Sequence, residues 1–434
     1  MDIDNIKKVI LKYRELLPQQ IFVRDLQVYE TDLKKANVII GPRRAGKTFY
    51  LYYLISKSKD KDWVLVNFED HLLTELTNAD LIKILELSKE LFSKEKLIFF
   101  FDEIQVVSGW ENFIVSLLNE GYKVTVTGSN SKLLSREIAT SLRGKALPYL
   151  LLPFSFSEYL KYKGITLGKN FELTDQVFEI KKHFEEYTKY GGFPEIATTD
   201  VLELKNKIIN NYFDSVLYKD IVERLKIKNI KLVEITIKYM LNLFGNTFSV
   251  SAFENYLKSN KIPYSLEDLY LILKSLEDVF MIAYVKQSSK SFKKSELSKS
   301  KVYLFDTGYI HFLSKESEDQ GRILENVVFL ELFRRQNEIE NKGINYYKSK
   351  NEEECDFIVS KKGKAELAIQ VCYKLDEKNI DREFKGLNNA MNELNIENGI
   401  ILTKDQYTKD VPLGKWADYK KIKIMPVWKW ILEK

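Results

Sequence analysis

Eight residues, Gly41–Thr48, constrain the fold of this chain more than any others. They read Gly-Pro-Arg-Arg-Ala-Gly-Lys-Thr and lie between a short apolar run, Asn37–Ile40, and a helical pattern, Lys47–Lys57. The two glycines let backbone N–H groups point inward at an anion, and the lysine and the helix N-terminus add positive charge. A loop of this spacing, with a strand before it and a helix after it, is predicted to bind the phosphates of a nucleotide.

Four further strand-like runs follow the loop, and helical segments separate most of them. They are Trp63–Phe68, Lys96–Phe101, Tyr122–Thr127 and Leu147–Leu152. Near-continuous apolar strands that alternate with helices predict a parallel sheet covered on both faces. The fold class expected for this region is therefore an α/β P-loop NTPase, with the strand before the loop and the strand that ends at Asp102 both central. Ligands bind at the carboxyl ends of such strands.

Two carboxylates follow the second of these runs. Asp102 and Glu103 come directly after the apolar residues Leu97–Phe101, so both should reach the edge of the sheet that carries the loop. We expect Thr48 and Asp102 to hold Mg²⁺ with ATP, Lys47 to contact the β- and γ-phosphates, and Glu103 to polarise the attacking water. The adjacent glutamate favours ATP hydrolysis over binding alone and counts against a small-molecule kinase.

Two other segments supply candidate site residues. Thr125–Asn130 ends a strand with small polar groups that could sense the γ-phosphate, although an ordinary helix cap would explain them too. Arg143 is a candidate arginine finger, with a solvated loop charge as the alternative. The predicted catalytic residues are Lys47, Glu103, Asn130 and Arg143. The predicted nucleotide-binding residues are Gly41, Pro42, Arg43, Arg44, Ala45, Gly46, Lys47, Thr48, Phe49, Asp102 and Ser129.

Eight segments follow one another in the order seen in a family of prokaryotic AAA-type ATPases. They are GPRRAGKT, FFFDEIQ, TGSNSKLLS, LRGK, PFSFSEYL, GGFPEI, KDIVERLKIKN and KVYLFDTG. The resemblance spans nearly the whole chain. It implies an AAA-type ATPase core, a winged-helix-like middle and a C-terminal domain similar to restriction endonucleases, a region long classed as a domain of unknown function. The family usually reads Leu-x-Gly-Arg where this chain reads Leu142-Arg143-Gly144-Lys145, so either Arg143 or Lys145 could take that position.

The rest of the chain reads as helices, a hairpin and a mixed α/β segment. Helical patterns extend from Phe154 to Asp278 with a break at Gly191–Pro194, and two apolar runs, Phe280–Val285 and Lys301–Phe305, follow them. Helices before a hairpin are typical of a winged helix. The last segment shows helical and strand patterns at Arg322–Gln336, Tyr346–Tyr347, Cys355–Ser360, Glu366–Cys372, Lys385–Leu394 and Gly399–Thr403. The predicted domains are residues 1–160 (ATPase core), 161–207 (helical lid or linker), 208–305 (winged-helix-like) and 306–434 (restriction-endonuclease-like and degenerate).

The predicted hairpin has a basic tip. The segment Lys286–Lys301 contains six lysines and one acid, with Phe292 among them. Lysines on a wing commonly contact DNA phosphates, which predicts salt-sensitive binding of double-stranded DNA. A solvated loop explains the same composition. The net charge of +5 is small against 67 basic and 62 acidic residues and does not by itself indicate a nucleic-acid partner.

The last segment also suggests a remnant of a nuclease site. Metal-dependent nucleases of the PD-(D/E)XK type need an acid on a helix, an acid on a strand and Glu-x-Lys on the next strand. Glu325 and Asp356 could supply the first two, but Gln370 replaces a carboxylate and Cys372 stands where the lysine belongs. Lys374 would share a face with Gln370 if the strand extended that far. We expect a relic metal site, with an active Mg²⁺ nuclease and a different fold as alternatives.

Composition limits the setting and the partners. Only two cysteines occur, Cys355 and Cys372, which favours a reducing cytoplasm over a disulfide framework. No apolar run approaches the roughly 20 residues that span a bilayer, and Met1–Asp4 does not begin a secretion signal. A homo-oligomer is left open. Two functions stay in contention: an ATPase that moves its C-terminal domains on DNA, and an ATP-operated protein-interaction switch without a nucleic-acid role.

Overall fold

The chain folds into two compact units. The computed structural model describes residues 2–29, 33–58, 62–92, 96–130, 142–288, 299–313, 319–338, 342–411, 413–416 and 421–433. The first unit comprises Met1–Leu152 with Asp278–Phe280, and the second comprises Pro153–Glu277 with Met281–Lys434. Within the described ranges, no helix is both long enough and apolar enough to cross a bilayer.

The first unit is built on a parallel sheet. Its strands are β1 (Ala36–Ile40), β2 (Trp63–Asn67), β3 (Ile98–Asp102), β4 (Lys123–Gly128) and β5 (Ala146–Leu150). In the part of the chain that the structure describes, the strand order is β2-β3-β4-β1-β5, and every pair is parallel. The predicted parallel α/β sheet is therefore confirmed. Both β1 and β3 lie inside the sheet, and β4 separates them.

Helices and an extended segment complete the first unit. The helices are α1 (Ile3–Glu15), α2 (Lys47–Lys57), α3 (Leu81–Phe92) and α4 (Trp110–Asn119). Tyr50 and Leu51 of α2 are buried in a core cluster with residues of β1, β2 and β3. Leu17, Ile21 and Leu26, from the segment after α1, pack against the same cluster. This core fixes the start of α2, and therefore the loop before it, at the carboxyl edge of the sheet.

The second unit begins with a helical region. Its helices are α5 (Phe156–Tyr162), α6 (Gln176–Tyr190), α7 (Pro194–Ala197), α8 (Leu202–Ser215), α9 (Ile230–Asn242), α10 (Val250–Ser259) and α11 (Leu266–Asp278). A π-helical segment, Val216–Glu223, continues α8. The strands β6 (Thr247–Phe248), β7 (Ile282–Lys286) and β8 (Ser300–Leu304) form an antiparallel sheet in the order β6-β8-β7. The tip of the predicted hairpin, residues 289–298, lies outside the described residues.

A mixed sheet forms the C-terminal part of the second unit. Its strands are β9 (Lys342–Lys348), β10 (Glu354–Lys361), β11 (Lys364–Val371), β12 (Asn398–Thr403) and β13 (Ile422–Pro426). Among the described residues their order is β13-β12-β11-β10-β9, antiparallel from β9 to β11 and parallel from β11 to β13. The accompanying helices are α12 (Gly308–Leu313), α13 (Gln320–Glu338), α14 (Ile380–Leu394) and α15 (Val427–Leu432). The mixed α/β prediction is confirmed, while β13 and α15 were not predicted.

Asp306 joins two glycine-containing segments of the second unit. Its carboxylate accepts hydrogen bonds from the N–H groups of Gly192 and Gly308, both at 2.8 Å. Gly191 has a φ of 81°, and a Cβ atom at this position would lie 1.8 Å from Asp306 Oδ1. Burial raises the pKa of Asp306 to about 7. The break predicted between α6 and α7 is thus a close approach of backbone to a buried carboxylate, which only glycine permits.

Candidate active site

The loop Gly41–Thr48 wraps around its own lysine. Lys47 Nζ donates to the carbonyl oxygens of Gly41 and Pro42, each at 3.1 Å. Gly46 adopts a left-handed φ of 94° immediately before α2 begins. A Cβ atom at Gly41 would lie 1.9 Å from the carbonyl oxygen of Leu151, so a side chain cannot be accommodated there. Both glycines are therefore required by the backbone of the loop.

The acidic pair meets the loop at the carboxyl edge of β3. Thr48 Oγ1 donates to Asp102 Oδ2 at 2.7 Å, and Lys47 Nζ lies 3.2 Å from Glu103 Oε1. Burial and the charge of Glu103 raise the pKa of Asp102 to about 6. Burial alone would raise the pKa of Glu103 as well, but the Lys47 ammonium holds it below the usual value. The two neighbouring carboxyl groups therefore differ in pKa, and Glu103 loses its proton more readily than Asp102.

Three polar side chains that the sequence did not single out individually as site residues complete this arrangement. Thr127 Oγ1, on β4, donates to Asp102 Oδ1 at 2.5 Å and accepts from the N–H of Glu103 at 3.0 Å. Asn67 Nδ2, at the end of β2, donates to Asp102 Oδ2 at 3.0 Å. Gln105 Nε2 donates to Glu103 Oε2 at 2.5 Å. A usable sequence signal was the polar residue at the carboxyl end of each strand beside β3.

The predicted γ-phosphate sensor reaches the acidic pair through Gln105. Ser129 is buried just beyond β4, and its hydroxyl lies 3.4 Å from Gln105 Nε2. Asn130 follows it and is half-buried. The Oε1 atom of Gln105 is buried and has no hydrogen-bond partner among the described residues. The segment that follows β3 therefore carries a buried acceptor without a donor next to Glu103, as expected where a water molecule or a ligand must be held.

Arg143 does not belong to the site of its own chain. It is exposed in the turn before β5, where Ala146 pairs with Ala36 at the beginning of β1. The loop Gly41–Thr48 follows the opposite end of β1, about 15 Å away along the strands. Lys145, the other candidate, contacts the side-chain oxygen of Asn119. Arg143 therefore lies away from the loop of its own chain, and its role as an arginine finger stays a prediction.

The other predicted nucleotide-binding residues surround the loop. Arg43 donates to both carboxylate oxygens of Glu69, at 3.2 and 2.7 Å. Arg44 adopts a φ of 66° without a glycine's freedom, which marks a tight turn. Phe49 is 57% exposed on the first turn of α2, and its ring contacts that of Tyr52. Phe49 is thus an exposed aromatic surface beside the loop.

Arg24 is a buried residue of the site that the sequence did not reveal. Its guanidinium donates to the carbonyl oxygen of Ala45 at 2.8 Å and to that of Leu152 at 2.7 Å. Charge-assisted hydrogen bonds of this kind contribute about 1.5–3 kcal/mol each. Arg24 therefore fastens the segment after α1 to the middle of the loop.

The predicted relic nuclease residues occupy a separate region. Glu325, on α13, and Asp356, on β10, are buried and both contact Lys301 Nζ, at 2.9 and 3.0 Å. In the described ranges no three His, Cys, Asp or Glu side chains are arranged to hold a metal ion. Glu325 and Asp356 thus lie close together, and both contact an ammonium group.

Gln370 and Lys374 do not join on one strand. Gln370 Nε2 donates to Glu383 Oε2 at 2.7 Å, and both side chains are buried. Strand β11 ends at Val371, and Lys374 lies exposed three residues farther on. The condition under which Lys374 could replace the missing lysine is therefore not met.

The fold and the loop define a class of protein. A parallel sheet with β1 leading into Gly41–Thr48, and with Asp102 and Glu103 on a nearby strand end, is the arrangement of a P-loop nucleotide-binding domain. A profile described as an AAA domain matches residues 33–160. Two profiles described as domains of unknown function, DUF8612 and DUF4143, match residues 181–320 and 320–429.

Two relatives match the chain over nearly its whole length. An uncharacterized protein of Methanocaldococcus jannaschii is 38% identical over 430 residues, which cover 98% of this chain and 95% of that protein. An uncharacterized protein of Haemophilus influenzae is 30% identical over 418 residues, which cover 94% and 96%. The chain therefore belongs to the prokaryotic AAA-type P-loop ATPase family in which two domains of unknown function follow the AAA domain. The resemblance drawn from the motif order is confirmed.

Likenesses to solved structures are weaker. A Walker-type ATPase of Pyrococcus abyssi matches with a TM-score of 0.41 at 15% identity, covering 68% of this chain and 98% of that one. Cdc6p of Pyrobaculum aerophilum matches with a TM-score of 0.25 at 9% identity, covering 75% and 93%.

Proposed function

We propose that this chain is a Mg²⁺-dependent ATP hydrolase. One observation supports the proposal above the others: Thr48 and Asp102 are joined at 2.7 Å while Lys47 and Glu103 are joined at 3.2 Å. The loop thus presents a hydroxyl–carboxylate pair and an ammonium–carboxylate pair side by side. A domain that only bound a nucleotide would need Thr48, Asp102 and Lys47. The additional carboxylate of Glu103 suits this site for hydrolysis.

The residues present fit a magnesium ion. Mg²⁺ binds hydroxyl and carboxylate oxygens together with substrate phosphates, and Thr48 and Asp102 are the residues that would hold it here. When bound, the ion neutralises charge that develops on the phosphate oxygens. Burial and the charge of Glu103 raise the pKa of Asp102 to about 6, so a cation held at this carboxylate would stabilise its ionised form.

Lys47 and Glu103 divide the catalytic work in this proposal. Lys47 exchanges its contacts with Gly41 and Pro42 for the β- and γ-phosphates, which frees Glu103 from the ammonium. Glu103, already ionised, then accepts the proton of the attacking water. Gln105 holds the opposite oxygen of Glu103 and so fixes the direction in which the carboxylate points.

The segment after α1 is the proposed adenine side of the site. Leu17, Ile21 and Leu26 supply apolar surface beside the core, and Arg24 fixes that segment to Ala45 of the loop. The same guanidinium holds Leu152, the last residue before the chain first leaves the first unit. A change in the loop on ATP binding would therefore reach the point where the chain leaves the ATPase unit, which supports a proposed movement of the C-terminal domains.

Substitutions within the loop test the nucleotide site. Lys47→Ala should abolish ATP binding, measured by calorimetry, because it removes the only ammonium group of the motif. Thr48→Val should retain nucleotide binding without Mg²⁺ and lose the additional affinity that Mg²⁺ confers. Lys123→Ala is the matched control, since it removes an exposed lysine of the same unit at the start of β4, at the opposite edge of the sheet. Equal ATP affinity in Lys47→Ala and Lys123→Ala would contradict the proposed site.

We further propose that the hairpin β7–β8 binds double-stranded DNA. Helix α9, strand β6, helices α10 and α11 and the hairpin follow one another in the order of a winged helix. Lys286 ends β7 and Lys299 precedes β8, and the sequence between them contains three more lysines and one acid. Phosphate contacts from such a tip would be independent of base sequence.

One observation favours the alternative, an ATP-operated switch that binds a protein. Helix α11, which would enter a DNA groove in a winged helix, carries four acids and one lysine. Leu266, Tyr270 and Leu271 on this helix are 50%, 56% and 42% exposed. An acidic helix repels phosphates, while exposed apolar residues are typical of protein interfaces.

A salt series separates these two partners. If the hairpin binds DNA, double-stranded DNA should stimulate the ATPase. The double substitution Lys293→Ala/Lys294→Ala should then make the plot of the logarithm of the DNA-binding constant against the logarithm of salt concentration less steep. The slope should change by about 0.9 per lost phosphate contact. Lys362→Ala with Lys364→Ala, exposed lysines of the β10–β11 turn, is the matched control. Absence of both stimulation and salt-sensitive binding in the wild type would exclude the DNA role and leave the protein switch.

A further inference from the structure

A buried lysine lies at the centre of an acidic cluster in the second unit. Lys301 Nζ lies 2.9 Å from Glu325 Oε1, 3.0 Å from Asp356 Oδ1 and 2.5 Å from Glu354 Oε1. Tyr303 donates its hydroxyl to the same Glu325 oxygen at 2.5 Å. The side chain of Lys301 is 3% exposed. Oxygen atoms of three carboxylates from two different elements thus surround one ammonium group.

The cluster carries more negative charge than its lysine neutralises. Three carboxylates and one ammonium leave a formal charge of −2 in a region where Glu325 and Asp356 are buried. Burial and the charge of Asp356 raise the pKa of Glu325 to about 7. Although burial opposes the charge of Lys301, Glu325 and the neighbouring acids raise its pKa above the usual value. Buried carboxylates in this arrangement require a cation at their centre.

A second, separate observation indicates an incompletely satisfied site at the same place. Phe357 pairs with Ile369, so Asp356 and Gln370 are opposite one another on antiparallel strands. Gln370 is 6% exposed, and its Oε1 atom has no hydrogen-bond partner among the described residues. An amide oxygen is a good ligand for Mg²⁺, Mn²⁺ or Ca²⁺. An acceptor without a donor therefore lies beside the acidic cluster.

The ammonium cannot easily leave this position. The backbone of Lys301 pairs with Thr247 of β6 on one side and with Val285 of β7 on the other. The end of β7 is also attached to β9, because Ser288 N–H donates to the carbonyl oxygen of Tyr346 at 2.6 Å. Lys301 is thus held by the ladder of its own sheet while its side chain neutralises acids of α13 and β10.

We propose that the Lys301 ammonium takes the place of a divalent cation in this cluster, and that an uncharged residue at position 301 converts the cluster into a site for one Mn²⁺ or Mg²⁺ ion. With Lys301 present, these carboxylates surround the ammonium and, among the described residues, are not arranged to hold a metal ion. In a variant without the ammonium, Glu325, Glu354 and Asp356 would supply the carboxylate ligands, with Gln370 as a candidate fourth ligand. In the wild type the cluster is metal-free. It acts as an ionic cross-link between the β7–β8 hairpin and the C-terminal sheet.

Manganese binding to the full-length protein without nucleotide tests the proposal. Lys301→Met removes the charge and keeps most of the apolar volume, whereas Lys299→Met removes an exposed charge two residues earlier and is the matched control. Equilibrium dialysis should show one more Mn²⁺ per chain for Lys301→Met than for Lys299→Met, since both retain the same nucleotide site. Lys301→Arg should bind no additional Mn²⁺, because its cation is preserved. Equal numbers in Lys301→Met and Lys299→Met would overturn the proposal.

Thermal unfolding supplies an independent measurement. Lys301→Met should unfold at a lower temperature than the wild type in EDTA and recover part of that loss in Mn²⁺, while Lys299→Met should respond as the wild type does. If Lys301→Met does not fold, the double variant Lys301→Met/Glu354→Gln carries less uncompensated charge and retains Glu325 and Asp356. It should likewise bind one additional Mn²⁺, and failure to do so would refute the substitution of a metal by Lys301.

Discussion

Replacing Thr127 by valine is expected to impair catalysis without removing any group that contacts the nucleotide. The Thr127 hydroxyl donates to Asp102 Oδ1 at 2.5 Å and accepts from the Glu103 N–H at 3.0 Å, and the side chain is completely buried. Glu103 itself has a φ of 53°, a left-handed conformation that a non-glycine residue adopts only when its surroundings enforce it. Valine has nearly the same shape, so the change removes two hydrogen bonds without creating a cavity.

The magnitude follows from those two bonds. A buried N–H group left without a partner costs about 1–3 kcal/mol, and a hydrogen bond to a charged group contributes about 1.5–3 kcal/mol. We therefore expect the free energy of unfolding to fall by about 2.5–6 kcal/mol. If about half of that is lost in the transition state, kcat falls roughly 10-fold to 150-fold. The KM for ATP should change less, because Lys47 and the loop are untouched.

The pH profile distinguishes this mechanism from simple destabilisation. The Thr127 hydrogen bond lowers the pKa of Asp102, which burial holds at about 6, so its loss moves that pKa upward. The acidic limb of kcat/KM, which reports the free enzyme, should therefore shift to higher pH. Thr125→Val, the same chemical change two residues earlier on β4, is the control. An unchanged acidic limb, together with equal kcat in the two variants, would refute the reasoning.

Three further predictions concern single contacts. Asp306 keeps a proton between about pH 4 and pH 7 that the unfolded chain releases, so the free energy of unfolding should fall as pH rises through this window, by at most about 4 kcal/mol. In denaturant titrations, the free energy of unfolding of Asp306→Asn should not show this fall with pH. An identical change with pH in the wild type and in Asp306→Asn would contradict the prediction. Gly41→Ala places a methyl group 1.9 Å from the Leu151 carbonyl oxygen, so calorimetry should detect at least a tenfold loss of ATP affinity. Unchanged ATP affinity would show that the loop tolerates a side chain at this position. Arg24→Met removes the hydrogen bonds to Ala45 and Leu152, so steady-state kinetics should show KM for ATP rising tenfold or more with a smaller change in kcat; a pure kcat effect would argue against its positioning role.

The nucleotide loop was predictable because its information is local. Gly41, Gly46, Lys47 and Thr48 lie within eight consecutive residues, and an apolar strand and a helix flank them in sequence. The partners of Asp102 were not predictable in this way. Asn67 and Thr127 reach it only because β2 and β4 are the two neighbours of β3, and the order of parallel strands is set by crossover connections that single-strand patterns do not encode.

The C-terminal part shows a similar division between local pattern and tertiary contact. The sequence pattern indicates Glu325 on a helix and Asp356 on a strand as candidate nuclease acids, but it does not show that they meet. Lys301 was overlooked because it belongs to the preceding hairpin, and its partners follow 24 and 55 residues later in the chain. The prediction for Lys374 required a longer strand, but β11 ends at Val371, whose N–H donates to Asp356 Oδ2 at 2.9 Å.

The most direct test of ATP hydrolysis at this site is a single-turnover measurement on Glu103→Gln. The substitution keeps the shape of the side chain, so ATP affinity should remain within a few-fold of the wild type. It removes the carboxylate that accepts the proton from water, and bound ATP should therefore be hydrolysed about 10²–10⁴ times more slowly. Tight ATP binding with hydrolysis almost abolished is the predicted result. Hydrolysis at the wild-type rate by Glu103→Gln would contradict the assignment of this glutamate as the base.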